Sequence, residues 1–349
     1  MGPVVFVLGS SAGGVGRHVA ALCAGLRADG TDVRVAAPAQ TLRRFDFGVP
    51  TTAVEIGASV DPVRDLRAAR ALRRAVRALP GALVHAHGVR AGFVATLALG
   101  SRTPFVVTLH NAVLGSGARA RLGAAVLGVV CRRADVVLAV SGDLLTRARR
   151  SGAGVADRAL VPAPPLPAGD AARGRAVLGP GPVALAVARL APQKGLGTLL
   201  EAAGRSGVPV AVAGDGPLRA QLAATIRERG LPVRLLGRRD DVADLLAAAD
   251  VAVSASVWEG QPVFVQEALR AGVPLVATDA GGTREVTGEA AVLVPVGDAA
   301  GLADALRRLA ADPAERAVRA QRSAQRAAEL PTGRAALEQV RRVHRAARG

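Results

Sequence analysis

Short runs of apolar, β-branched residues alternate along the whole chain with Arg- and Ala-rich stretches of amphipathic period. The runs at 4–8, 32–36, 83–86, 105–109 and 136–140 form one set. Those at 183–188, 208–213, 233–236, 251–254 and 275–277 form a second. Their continuous apolar character predicts parallel strands buried on both faces, and the segments 16–28, 65–79, 196–203, 218–230 and 262–271 read as the covering helices. Two such sets predict an α/β chain of two doubly wound parallel-sheet domains. Between them VPAPPLPAG (161–169) is too rich in proline for a sheet interior and reads as a stiff linker. The expected division is a first domain over 1–162, a linker over 163–169, a second domain over 170–325, and a helical segment over 326–349 that packs back on the first. In sheets of this kind ligands bind beyond the carboxyl ends of the strands, so an interdomain cleft is the expected site.

Composition narrows the partners. At 349 residues, half of them apolar, the chain has material for two cores. The formal charge of +17 suits polyanions or phosphorylated substrates. Aromatic content of 2% leaves little for base stacking, and with no nucleic-acid motif present, nucleic acid is not an expected partner. All but one of the 45 basic residues are arginine, so Lys194 marks a place where a compact ammonium matters. Cys23 and Cys131 lack ligand spacing and read as small buried hydrophobes of a reducing compartment. The N-terminus has no basic n-region, and the longest apolar run, 122–131, is too short to cross a bilayer. A cytoplasmic protein, at most peripheral on the inner membrane face, is expected. The segment 61–79 carries Arg64, Arg67, Arg70, Arg73, Arg74 and Arg77 with Leu66, Leu72, Val76 and Leu79. It could lie on anionic lipid, and a domain helix with a solvated charged face reads the same way.

Four segments could carry chemistry. The glycine-rich stretch GSSAGGVGRH (9–18) follows the first strand and opens the first helix, where Gly14 and Gly16 would let a phosphate approach. A dinucleotide site is disfavoured, because the glycine spacing is irregular and no acidic residue ends the second strand; a ligand-free turn accounts for the same glycines. His85, His87 and His110 lie at or just past strand ends, and His18 lies in the first helix on the same side. None has an acidic or Cys partner at ligand spacing, so no metal is expected. Arg189 and Lys194 leave one strand–helix loop, a good pair of cations for a diphosphate. Glu259 and Glu267 flank Pro262, which reads as the first residue of a helix. They could be an acid/base pair, or could each grip the hydroxyls of a sugar.

The segments GGVGRH, VVTLHN, ARLAPQKG, AGDGPLR, LLGRRDDV and EGQPVFVQEALRAGVPLVATDAGGTREV occur in this order. Together they resemble the family-4 retaining glycosyltransferases of the GT-B fold over nearly the whole chain. The resemblance implies two Rossmann-like domains and a nucleotide-sugar donor held mainly by the second. It also implies transfer with retained anomeric configuration, without a metal or other cofactor. By the same resemblance Arg189 and Lys194 would hold the diphosphate, Glu259 and the adjoining Gly260 the sugar, and Glu267 the ribose. The backbone at Gly237 and Arg238 would meet the base, His110 would contact the donor sugar, and residues 13–16 would close over the phosphates. His18, His85 and His87 would lie towards an acceptor, whether glycan, sugar phosphate or lipid-linked. The linker and the Gln261-Pro262 pair depart from the usual family pattern. A nucleotide-sugar-binding scaffold without turnover, or a nucleotide-sugar epimerase of the same fold, are the alternatives. The donor nucleotide, the acceptor and the oligomeric state are not encoded in any motif.

Overall fold

The computed structural model describes residues 2–11, 13–111 and 117–349. They divide into two compact units, one built from Met1–Pro162 with Pro331–Gly349 and the other from Ala163–Leu330. The boundary expected between residues 325 and 326 lies inside the helix Pro313–Glu329, and the chain leaves the second unit at Leu330. Residues 163–169 fall within the second unit: the Ala163 N–H donates to Gln266 Oε1 at 2.9 Å.

Among the described residues the first unit holds a seven-stranded parallel sheet. Its strands are β1 (Val4–Leu8), β2 (Val33–Ala37), β3 (Thr51–Ala53), β4 (Leu83–His87), β5 (Phe105–Leu109), β6 (Val136–Ala139) and β7 (Ala156–Arg158), in the order 3-2-1-4-5-6-7. The second unit holds a six-stranded parallel sheet of β8 (Ala184–Val187), β9 (Val210–Ala213), β10 (Val233–Gly237), β11 (Val251–Ser254), β12 (Leu275–Thr278) and β13 (Val292–Val294), in the order 10-9-8-11-12-13. Each order reverses direction once, between β1 and β4 and between β8 and β11. Such a switch point opens a crevice beyond the strand ends. The central strands are buried on both faces, and each large apolar side chain sealed there contributes about 1.5–3 kcal/mol. The edge strands β3, β7 and β13 are three residues each; β3 and β7 lack such a run, which is why the apolar pattern did not reveal them, whereas β13 lies in the apolar stretch 290–294 and was missed.

The helix Gly333–Ala346 completes the first unit. Gly25 admits it against the first helix, Gly14–Ala28, since a Cβ at that position would lie 2.5 Å from a Leu337 methyl. Arg341 pairs with Asp29, and Gln339 bridges the chain near β7 by accepting from Leu160 N at 2.8 Å and donating to Arg158 O at 2.7 Å. Arg348 donates to the carbonyls of Pro3 and Gly81, tying the helix end to the starts of β1 and β4.

Candidate functional site

The second unit presents its charged residues at the β8/β11 switch point. The loop after β8 contains a short 3-10 turn, Pro192–Lys194, and then Gly195 at φ 58°, which starts the helix Leu196–Ser206. A Cβ on Gly195 would sit 1.9 Å from the Ala255 carbonyl oxygen, so glycine lets this loop lie directly on the one after β11. Two bonds join the loops: Val257 N–H donates to Gln193 O at 2.8 Å, and Gln193 Nε2 donates to Trp258 O at 3.0 Å. Lys194 Nζ then reaches Glu259 Oε1 at 2.6 Å, and Ser256 Oγ donates to the same oxygen at 2.6 Å. Both donors fall on Oε1, which leaves Oε2 without a hydrogen-bond partner among the described residues.

The turn after β12 fixes Glu259 from behind. Gly282 N–H donates to its carbonyl at 2.9 Å, and a Cβ on Gly281, at φ 55°, would lie 2.2 Å from that carbonyl oxygen. Thr278 Oγ1 donates to Ser256 O at 2.6 Å. The carboxylate is therefore held by three strand ends, and it is buried.

The other expected donor residues are placed as follows. Arg189 leaves the end of β8 exposed, and its guanidinium has no ion-pair partner among the described residues. Gly260 is buried beside Glu259. Pro262 is the N-cap of the helix Val263–Arg270, with ψ 117°, and so stands one place before the helical position expected for it. Glu267 is buried on that helix and has a partner. Gly237 ends β10 at φ 71°, with its carbonyl accepting from Gly214 N–H at 2.7 Å. Arg238 is exposed and lies 3.9 Å from Asp240. In the first unit Gly14 is exposed in the first turn of its helix. Gly16 is buried for packing, because a Cβ would enter the Phe45 ring at 2.4 Å. Ala12, within the glycine-rich stretch, lies outside the described residues.

The histidines need a correction. All five form one cluster on one face of the first sheet, and the fifth, His344 on the helix Gly333–Ala346, was not anticipated. His85 Nδ1 lies 3.0 Å from His344 Nε2 and His85 Nε2 2.8 Å from Thr108 Oγ1. Both of its ring nitrogens are engaged and it is fully buried, so His85 is a core residue with no access to an acceptor. Strand alternation puts residues 85 and 87 on the same face, and the covering helix seals the deeper of the two. Phe6 of β1 packs against His85, His87 and His344 at 5.4, 5.5 and 6.1 Å between ring centroids. His87, also buried, places Nδ1 2.8 Å from His110 Nε2, and His18 meets both rings edge-on at 5.9 and 6.1 Å. His110, just past β5, is the member nearest the strand ends.

Burial lowers the imidazole pKa throughout the cluster. It brings His110 and His344 to about 3 and leaves His85 and His87 well below the ordinary 6.5, with neighbouring histidines adding to the fall in the last two. His18 keeps some exposed surface, yet its burial lowers it to about 4. The cluster is neutral at pH 7.

Ser256 and Gln193 were missed. Ser256 stands three residues before Glu259 in VSASVWE, a spacing that could have suggested it. Gln193 acts only through a neighbouring loop and left no signal beyond its place beside Lys194.

The family model for the glycosyl transferase 4-like domain matches residues 13–164, and that for glycosyl transferases group 1 matches residues 181–312. The chain is 35% identical over 136 residues to the lipopolysaccharide core biosynthesis glycosyltransferase LpsE of Rhizobium meliloti (strain 1021); the match covers 38% of this chain and 40% of LpsE, so it spans about two fifths of that relative's length. Among solved structures, the sucrose-phosphate synthase from Thermosynechococcus elongatus superposes with a TM-score of 0.83 at 22% identity, over 98% of both chains. Anabaena Alr3699/HepE in complex with UDP-glucose superposes with a TM-score of 0.80 at 21% identity, over 98% of this chain and 99% of that one. Identities this low show a shared fold alone, whereas the two family models together take in most of the sequence. The chain belongs to the group 1, 4-like glycosyltransferase family and has the GT-B fold.

Proposed function

We propose that the protein transfers a sugar from a nucleoside-diphosphate sugar to a glycan, sugar-phosphate or lipid-linked acceptor, with retained anomeric configuration and without a metal. The observation that carries this reading is the Lys194–Glu259 pair, 2.6 Å apart at a sheet switch point, with Arg189, which has no ion-pair partner among the described residues, on the same loop as Lys194. Departure of the nucleoside diphosphate builds negative charge on its phosphates, and fixed cations stabilise that charge as it develops. Lys194 and Arg189 take this role. Glu259, held by Ser256 through Oε1, offers Oε2 to sugar hydroxyls, and Gly260 lets the sugar come close to the backbone. Glu267 takes the ribose, Gly237 and Arg238 the base, the exposed Gly14 the phosphates, and His110 a hydroxyl of the donor sugar. His18 stands towards the acceptor. The departing phosphate accepts the acceptor's proton on the same face, so no protein nucleophile is needed. That HepE is seen with UDP-glucose supports a nucleotide-sugar donor for this fold.

The test is a thermal-shift screen of nucleoside diphosphates and their sugars, followed by incubation of each binder with candidate acceptors and NMR of the product's anomeric proton. Stabilisation by one nucleotide family, with turnover and retained configuration, is expected. Binding without hydrolysis or transfer would favour a scaffold, and no binding at all would end the reading.

The helix Pro62–Arg77 supports peripheral contact with anionic lipid. Val63 and Leu66 are 61% and 47% exposed beside exposed Arg67, Arg70 and Arg74, an apolar and basic face that suits a lipid headgroup layer.

A further inference from the structure

We propose that His87 is a positioning residue that fixes the tautomer of His110: it donates Nδ1–H to His110 Nε2, which leaves His110 carrying its proton on Nδ1 as a hydrogen-bond donor. The proposal rests on the reading that His110 meets a sugar hydroxyl, and it adds what His110 can and cannot do there.

A neutral imidazole has one N–H and one lone pair. The rings of His87 and His110 are 5.1 Å apart between centroids, with planes 23° apart, while their nitrogens approach to 2.8 Å. They therefore meet edge to edge, and one of the two nitrogens must carry the proton. The other nitrogen of His87, Nε2, is buried and has no partner. A buried N–H without an acceptor is rarer and costlier than a buried lone pair without a donor, so the proton of His87 belongs on Nδ1. His110 Nε2 then accepts, and its own proton is on Nδ1, which has no partner among the described residues.

The same rule is consistent across the rest of the cluster. His344 Nδ1 is likewise buried and unpartnered, so its Nε2–H donates to His85 Nδ1, and His85 Nε2–H donates to Thr108 Oγ1. No contact is left with two donors or two acceptors facing each other. His85 stacks on His87 at 4.5 Å with planes 25° apart, and Phe6 closes the same side, so the His87 ring cannot turn over to exchange its nitrogens without displacing both.

Two consequences follow for chemistry. His110 approaches a hydroxyl as a donor, so that hydroxyl must accept from it and has its own proton free for another acceptor. His110 is also excluded as a general base, because its one lone pair is already taken by His87. The proton released by the acceptor must go elsewhere, in keeping with its passage to the departing phosphate.

The decisive measurement is a long-range ¹H–¹⁵N correlation spectrum of the full-length protein at pH 7.5 without ligand, which distinguishes protonated from bare ring nitrogens. It should show His110 protonated on Nδ1 and bare on Nε2. In H87N the amide nitrogen keeps a donor near the place of Nδ1 and should preserve this tautomer; in H87L His110 should become a mixture. With UDP-glucose as the probe, H87L should weaken binding by about three- to tenfold, the loss of one neutral hydrogen bond, and H87N should restore most of it. His110 found protonated on Nε2 in the unaltered protein, or a tautomer unmoved in H87L, overturns the proposal. A tautomer that moves while UDP-glucose affinity does not leaves the positioning intact and overturns the sugar contact on which it was built.

Discussion

Lys194 occupies a place whose geometry suits a compact ammonium better than a guanidinium. Its ammonium fits within 2.6 Å of a buried carboxylate oxygen that a serine hydroxyl already occupies, and a planar guanidinium presents a wider fork. Lys194→Ala should therefore lower kcat/KM by about 10²–10³-fold, the scale of losing one preplaced charge stabiliser. Lys194→Arg should recover only a small part of that loss. Steady-state kinetics with the donor found by screening would check both, and near-normal rates in either variant would remove Lys194 from the chemistry. Lys194 and Glu259 stood out in the sequence because one is the sole lysine and the other interrupts an apolar neighbourhood. Ser256 and Gln193 did not, since a serine or glutamine in a loop says nothing until the facing loop is known. His85 shows the opposite failure: its side of the strand could be read, its depth could not, because the helix that seals it lies 259 residues further along the chain at His344.

At the scale of elements, β4 and the helix Gly333–Ala346 share a neutral imidazole cluster with a consequence for acid stability. The unfolded chain binds protons to these histidines near pH 6.5, while the folded cluster resists them down to about 4 at His18 and about 3 at His110 and His344. The contribution of neutral burial is therefore complete above pH 6.5 and is lost progressively as pH falls from there towards the folded values. Each histidine kept neutral gives a slope of about 1.4 kcal/mol per pH unit. The groups facing one another are the five imidazoles, with Arg348 acting on His344. Urea midpoints measured between pH 7 and 5.5, above the range where carboxylates dominate, should fall steeply; a flat profile would mean the cluster is protonated or solvated. The other element with a prediction is the helix Pro62–Arg77. Anionic vesicles should float the protein at low salt and release it at high salt, and L66E should weaken the binding while neutral vesicles bind little. No flotation would end the lipid reading. The central strands were legible because both faces are covered and their residues are uniformly apolar. The edge strands β3 and β7 were not, since a three-residue strand open to water has no pattern to read; β13, in the apolar stretch 290–294, was legible but missed.

For the whole molecule, the two units differ in how they are encoded. The second is continuous from Ala163 to Leu330 and has its own apolar clusters on both sides of its sheet, whereas the first is assembled from two stretches. A fragment of residues 163–330 should fold alone and keep affinity for the nucleoside diphosphate that the full chain selects. Circular dichroism and calorimetry would check this, and a folded fragment blind to nucleotide would place the donor residues elsewhere. The alternation of apolar runs was enough to reveal two sheets and the region between them. The return of the last helical segment to the first domain was expected over 326–349, but the alternation could not fix its boundary at Leu330, because a surface-covering helix looks alike whichever sheet it covers.

That return has a bearing on how the protein is made. Domains tend to fold as they leave the ribosome, the earlier before the later. Here residues 1–162 emerge first but lack the helix that closes over Phe6 and His85, and that helix is translated only after all of residues 163–330. The segment synthesised first is thus finished last, and a phenylalanine and a histidine of its sheet wait uncovered while the whole of its companion is being built.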